Sequence, residues 1–136
     1  MGTVLLIEDG SDDVLLIQLG FEKAGIGHSL AVASDGQKAM DYLKRTRSYT
    51  TRNKVPVPDL ILLDLGLPGM SGFEFLQWLR NDPELNHLPV VVLIGSMSAA
   101  DMTKAYRLGA DSFLVKEADF ARFRAALKEM TDFWLR

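Results

Sequence analysis

Charged residues directly follow three apolar runs of the chain. Side chains at such positions can come together to form a catalytic or metal-binding site. Glu8 and Asp9 follow the run 3–7, Asp64 follows the run 60–63, and Lys116 follows the run 112–115. If these runs are parallel strands of one sheet, the four side chains open into one crevice at its carboxyl edge, where open α/β sheets bind ligands. Three carboxylates placed together repel one another, so the arrangement favours a hard cation such as Mg²⁺ with oxygen ligands.

Asp64 is the candidate for the chemistry itself, because an aspartate can attack a phosphorus centre and carry the phosphoryl group as an acyl phosphate. The transfer needs a metal and a cation to neutralise the moving group, since positioning and electrostatics supply most of the catalysis. Asp9 is placed to hold Mg²⁺ directly and Glu8 to hold it through water. Lys116 can pair with a phosphoryl oxygen, and Gly66 offers an unhindered backbone carbonyl. A structural carboxylate and a metal ligand are the other roles open to Asp64.

The composition limits the classes of protein to which the chain can belong. With 136 residues, 48% of them hydrophobic and 24% charged, we expect one soluble globular domain. The net charge of −3 argues against a nucleic-acid binder, and the absence of cysteine excludes disulfides and thiolate metal sites. No run resembles a signal peptide or a membrane span. We therefore expect a cytoplasmic protein without nucleic-acid or membrane partners.

Five strand-like runs alternate with five helix-like segments. The strand runs are rich in Val, Ile and Leu, which is typical of strands buried on both faces of a parallel sheet. They span about 3–7, 29–33, 60–63, 89–94 and 112–115. The helical segments are one that begins near residue 11 and four that span 35–44, 71–80, 99–108 and 119–135. This alternation predicts an α/β fold, a doubly wound three-layer domain with right-handed crossovers.

Local signals predict how the first helix begins and ends. Ser11 is expected to cap it, with Asp12 and Asp13 suiting the positive end of the helix dipole. Either Gly25 or Gly27 is expected to end it.

Farther along, the polar connection 44–58 contains five basic residues and no acidic one. A solvated loop and a contact site for an acidic partner are both open interpretations of that connection.

The motifs together resemble a response-regulator receiver domain. They are Glu8-Asp9, Asp64 with Leu67-Pro68 and Ser71-Gly72, Gly109-Ala110, and Lys116. The connection 44–58 and the run 89–93 make the chain more similar to the single-domain regulators paired with bacterial phytochrome kinases. The resemblance implies a flavodoxin-like, five-stranded parallel sheet of order 2-1-3-4-5. It also implies that a histidine kinase or a phosphotransfer protein phosphorylates Asp64, with Mg²⁺ bound by Asp9, Asp64 and the Gly66 carbonyl.

The resemblance covers residues 1–136, so we expect a single receiver domain without an output domain. Such a domain catalyses its own phosphotransfer and dephosphorylation but is not a conventional enzyme. The far end of the last, apolar helix is a candidate surface for a homodimer. Other enzyme classes fit less well: there is no P-loop signature, and Gly66 stands where haloacid-dehalogenase-type phosphatases have a second aspartate.

Two positions depart from the receiver pattern. Receivers usually have Thr or Ser at the end of the fourth strand, where this chain has Ile94, and Ser96 is a candidate substitute two residues later. Receivers also usually have a cis proline after the lysine. Here Glu117 follows, and we predict a trans peptide because a non-proline cis bond costs about 2.5–4 kcal/mol. Phe113 matches the aromatic switch position, although a core aromatic on a buried strand explains it equally.

The departures leave a second function class open, a pseudo-receiver that binds partners without phosphate control. Leu15 and Leu19 on the first helix point away from its core face and form a candidate contact patch. Two scattered exposed leucines, which need no functional explanation, are the alternative.

Overall fold

The computed structural model describes residues 2–46, 55–95 and 98–135. Five parallel strands form one sheet of order β2-β1-β3-β4-β5, which confirms the predicted topology. The strands are β1 (Thr3–Ile7), β2 (Ser29–Ala33), β3 (Leu60–Asp64), β4 (Val90–Ile94) and β5 (Ser112–Val115). The helices are α1 (Ser11–Lys23), α2 (Gly36–Lys44), α3 (Gly72–Asn81), α4 (Ala99–Arg107) and α5 (Phe120–Trp134).

Two apolar cores cover the two faces of the sheet, because successive side chains of each buried strand point to opposite faces. One core joins Leu5, Ile7, Leu63 and Val92 to side chains of α2, α3 and α4. The other joins Val4, Leu6, Leu62 and Leu93 to side chains of α1 and α5. The strands are therefore apolar on both faces, and polar chemistry is left to their ends.

The first helix begins differently from the prediction. Ser11 is already helical, and Gly10 occupies the capping position without a side-chain hydrogen bond, so the predicted Ser11 cap is wrong. The Gly10 amide donates instead to Glu8 Oε2 at 3.2 Å, which ties the start of α1 to the end of β1. The helix ends at Lys23 and is capped by Ala24. Gly25, one of the two predicted glycines, follows directly in the left-handed conformation that favours glycine (φ 67°).

The polar connection 44–58 lies partly outside the described residues, which stop at 46 and resume at 55. Its described ends are joined by a hydrogen bond from the Val55 amide to the Arg45 carbonyl, at 3.2 Å. Within the described part of the chain, no helix combines the length and the apolar character that a membrane crossing requires.

Candidate functional site

The predicted charged residues meet at the carboxyl edge of the sheet. Glu8 and Asp9 directly follow β1, Asp64 is the last residue of the neighbouring strand β3, and Lys116 follows β5. One carboxylate oxygen from each of Glu8, Asp9 and Asp64 lies within 4.8 Å of the others. Oxygen ligands at this spacing suit a hard divalent cation such as Mg²⁺.

Glu8 is the buried member of this carboxylate cluster. Its side chain is 2% exposed. Burial raises the pKa of Glu8 to about 7, and hydrogen bonding to Asp64 and repulsion by it act in the same direction, against the opposing hydrogen bond from Lys116. A cation bound among the carboxylates would relieve this repulsion, so the residues present fit a divalent metal.

This pKa predicts how the stability of the metal-free protein changes with pH. Between pH 4.5 and pH 7 the folded protein binds a proton on Glu8 that the unfolded chain has lost. The free energy of unfolding measured in chelator should therefore fall by about 3 kcal/mol from this group as the pH rises through that window. Urea denaturation at a series of pH values measures the fall. Glu8→Gln should flatten it, and an unchanged slope in that variant would contradict the assignment to Glu8.

Lys116 is held by two carboxylates, and one of them was not among the predicted site residues. Its Nζ lies 2.9 Å from Glu8 Oε1 and 3.0 Å from Asp13 Oδ2. Burial alone lowers the pKa of Lys116, but these two hydrogen bonds and the charge of Asp64 raise it above the ordinary value. The sequence offered Asp13 only as a favourable charge at the start of α1, because nothing local indicates that it reaches the end of β5.

Asp64 and Lys116 line one crevice of about 410 Å³. Gly66 lines it as well, and the Gly66 amide donates to Asp64 Oδ1 at 3.1 Å. The crevice includes two residues that sequence reasoning missed, Phe73 near the start of α3 and Asp101 in the first turn of α4. The ion pair of Lys116 shows that its ammonium is turned toward Glu8 and Asp13, although the side chain borders the same crevice as Asp64.

The loop after Asp64 is fixed by the start of α3. Ser71 caps this helix and forms a capping box with Glu74. The Gly72 amide donates to the Leu65 carbonyl at 3.0 Å. A Cβ at Gly72 would lie 2.5 Å from Leu65 Cα and 2.8 Å from the Asp64 carbonyl oxygen, so the helix approaches the site as closely as only glycine allows.

Gly109, from the Gly109-Ala110 motif, has a structural role in the turn before β5. Its φ of 111° is unfavourable for other residues. Its carbonyl accepts hydrogen bonds from Arg80 Nε and Nη2 at 3.1 and 2.7 Å, and the same guanidinium pairs with Asp111 at 2.9 Å. Arg80 thus ties α3 to the turn that leads into β5 and Lys116.

Ile94 and Phe113 lie on one face of the sheet. Val92 is paired with Phe113 across β4 and β5, and Ile94 is the next residue of β4 on that face. Ile94 is 9% exposed, and Phe113 is half-buried against the core of α2, α3 and α4. Ile94 therefore stands between Phe113 and the carboxyl edge. The candidate substitute Ser96 lies outside the described residues.

Three further predictions concern single positions. Among the described residues no peptide bond is cis, so the predicted trans bond between Lys116 and Glu117 is confirmed. Leu15 is 55% exposed and Leu19 is 37% exposed, as expected for the candidate contact patch. Near the end of α5, Phe133 is exposed as well and packs edge-on against Trp134, with ring centroids 5.0 Å apart.

Comparison with known proteins agrees with this geometry. The profile of the response regulator receiver domain family matches residues 4–128. The chain is 34% identical over 132 residues to the response regulator Rcp1 of Synechocystis sp., and the match covers 97% of this chain and 88% of Rcp1.

Solved structures give the same result. A response regulator in red light signaling of R. palustris is 34% identical with a TM-score of 0.89, and the match covers 100% of this chain and 95% of that one. The Mn²⁺-bound form of Rcp1 is 33% identical with a TM-score of 0.83, covering 100% of this chain and 96% of the other. A protein of similar sequence and fold thus holds a divalent metal.

Proposed function

Because the chain belongs to the response regulator receiver domain family, we propose that it acts as a single-domain response regulator that accepts a phosphoryl group on Asp64. The donor is a histidine kinase or a phosphotransfer protein, and Mg²⁺ is the cofactor. The observation that carries the proposal is the crevice in which Asp64 and Lys116 adjoin the carboxylate cluster of Glu8 and Asp9. Similarity to a regulator of red light signaling supports a phytochrome-type kinase as the partner. We propose that the protein acts in the cytoplasm.

Each side chain has a role in this reaction. A carboxylate oxygen of Asp64 bonds to phosphorus while the bond from phosphorus to the donor nitrogen breaks and its electron pair leaves with the donor. Asp9, Asp64 and the Gly66 carbonyl would hold Mg²⁺, with Glu8 reaching it through water. The metal supplies positive charge to the transferring group. Lys116, whose side chain lines the same crevice as Asp64, donates to a phosphoryl oxygen.

Labelling with a small phosphodonor tests the proposal. We expect one acid-labile phosphoryl group per chain when the protein is incubated with phosphoramidate and Mg²⁺, and none when a chelator is present. Mass spectrometry of the intact protein measures the incorporation. A label that forms equally well in chelator would contradict the proposed metal-assisted transfer.

Ile94 supports a second candidate function, the pseudo-receiver that binds partners with little phosphate control. In a receiver the hydroxyl at this position contacts the phosphoryl group and couples it to the aromatic residue of the fifth strand. Ile94 offers no hydroxyl, and it lies beside the path between Phe113 and the crevice. A ligand shifts a conformational equilibrium only by its different affinity for the two states, so phosphorylation should favour an active state weakly here.

We therefore expect Ile94→Thr to enlarge the structural response to phosphorylation. Amide chemical shifts around Phe113, recorded with and without beryllofluoride and Mg²⁺, should change little in the parent and about threefold more in the variant. Ile94→Val is the matched control, since valine has nearly the shape of threonine but no hydroxyl. A full-sized response in the parent would show that another group provides the coupling.

Partner binding in either function needs an accessible surface. The contact patch of Leu15 and Leu19 lies on α1, which starts three residues after Glu8 at the edge of the sheet that carries Asp64; Leu19 lies one helical turn farther from that edge than Leu15. We propose this patch as the surface for the phosphodonor or another protein partner. The exposed Phe133 on α5 is a candidate contact for a homodimer.

A further inference from the structure

The ammonium of Lys116 has a partner outside the proposed phosphorylation machinery. Asp13 lies in the first turn of α1, is 42% exposed, and approaches Lys116 Nζ to 3.0 Å. The metal-binding cluster consists of Glu8, Asp9 and Asp64 and does not include Asp13. The Asp13–Lys116 ion pair joins the start of α1 to the end of β5, residues 103 positions apart in sequence.

This ion pair competes with the contact that Lys116 makes to the phosphoryl group in phosphotransfer. An ammonium has three donors, and two of them are directed at Glu8 and Asp13 in this structure. A phosphoryl group on Asp64 brings new negative charge into the crevice that Lys116 borders. Because Glu8 would help to hold the metal through water, Asp13 would then be the main group that holds the ammonium away from the phosphoryl oxygens.

We propose that Asp13 is a positioning residue that retains Lys116 in the unphosphorylated state and thereby opposes phosphorylation of Asp64. This inference rests on the proposed function and adds to it a determinant of the phosphorylation equilibrium. The ion pair is made in the unphosphorylated state and is lost or weakened when Lys116 turns to the phosphoryl group. Only such a difference between the two states can change the equilibrium between them.

The chain supplies a matched control for this residue. Asp12 precedes Asp13 in the same turn of α1, carries the same charge, and is exposed. Among the described residues, the side chain of Lys116 bonds to Glu8 and Asp13 and not to Asp12. Asp12→Asn therefore reproduces the change in net charge and in helix-dipole interaction without removing the ion pair.

The test measures the affinity for beryllofluoride at saturating Mg²⁺ by titration calorimetry, an equilibrium readout that is independent of any kinase. We expect Asp13→Asn to bind beryllofluoride about three- to fivefold more tightly than the parent at low salt, and Asp12→Asn to differ by less than about twofold. The advantage of Asp13→Asn should shrink at high salt, because screening weakens the exposed ion pair in the parent. Thermal unfolding of all three proteins checks that the fold is retained.

The other possible results contradict either the inference about Asp13 or the proposed function. Equal tightening in both variants would show an effect of net charge alone, and weaker binding in Asp13→Asn would show that Asp13 guides Lys116 toward the phosphoryl group. Either result refutes the inference but leaves the proposed function intact. If the parent protein with Mg²⁺ does not bind beryllofluoride at all, the proposed function fails and the inference fails with it.

Discussion

Replacing Asp64 by asparagine should reduce phosphoryl incorporation by about three orders of magnitude or more, to background. An amide oxygen is a poor nucleophile and cannot form an acyl phosphate, whereas it can still accept the hydrogen bond from the Gly66 amide. The variant should therefore fold like the parent. Incubation with phosphoramidate and Mg²⁺, followed by mass spectrometry of the intact protein, measures the loss.

Two control variants distinguish the loss of the nucleophile from the loss of a metal ligand and from a change in net charge. Asp9→Asn removes a proposed metal ligand but keeps Asp64, so labelling should fall and recover partly at higher Mg²⁺ concentration. Asp12→Asn removes an exposed carboxylate of the first turn of α1 and should be labelled like the parent. Labelling of Asp64→Asn at the rate of the parent would place the phosphoacceptor elsewhere.

Replacing Gly72 by alanine should lower the free energy of unfolding by about 1–3 kcal/mol, the effect of overpacking against rigid neighbours. An added Cβ would lie 2.5 Å from Leu65 Cα and 2.8 Å from the Asp64 carbonyl oxygen. Both atoms belong to the backbone, so relief requires a shift of β3 or of α3. Elsewhere alanine is the better helix former, so the sign of the effect is itself diagnostic.

Gly95→Ala is the matched control for this substitution. The nearest atom to a Cβ at Gly95 is Lys116 Cδ at 4.0 Å, an ordinary contact, so we expect a change of less than about 1 kcal/mol. Urea denaturation measures both variants. Because Gly72 packs against the backbone that carries Asp64, the Gly72 variant should also be phosphorylated more slowly. A Gly72→Ala protein as stable as the parent would show that α3 can move away at little cost.

The sequence alone determined the elements of the fold and the type of chemistry. Runs of Val, Ile and Leu predicted five buried strands that alternate with helix-like segments, because these patterns are local in the sequence. Predicted strand ends differ from the structure by a single residue, at Asp64 and at Val90. Once those runs are parallel, their ends must share one edge of the sheet, so Glu8, Asp9, Asp64 and Lys116 were predicted to meet there.

The tertiary structure decided which of these groups are in contact. The pairing of Lys116 with Asp13 joins residues 103 positions apart, and the contact of Arg80 with the Gly109 carbonyl spans 29. The need for glycine at position 72 likewise depends on how closely α3 packs on Leu65. Such contacts depend on helix placement and on the side-chain conformations that packing permits. No local periodicity encodes these, because they arise only when segments distant in sequence pack together.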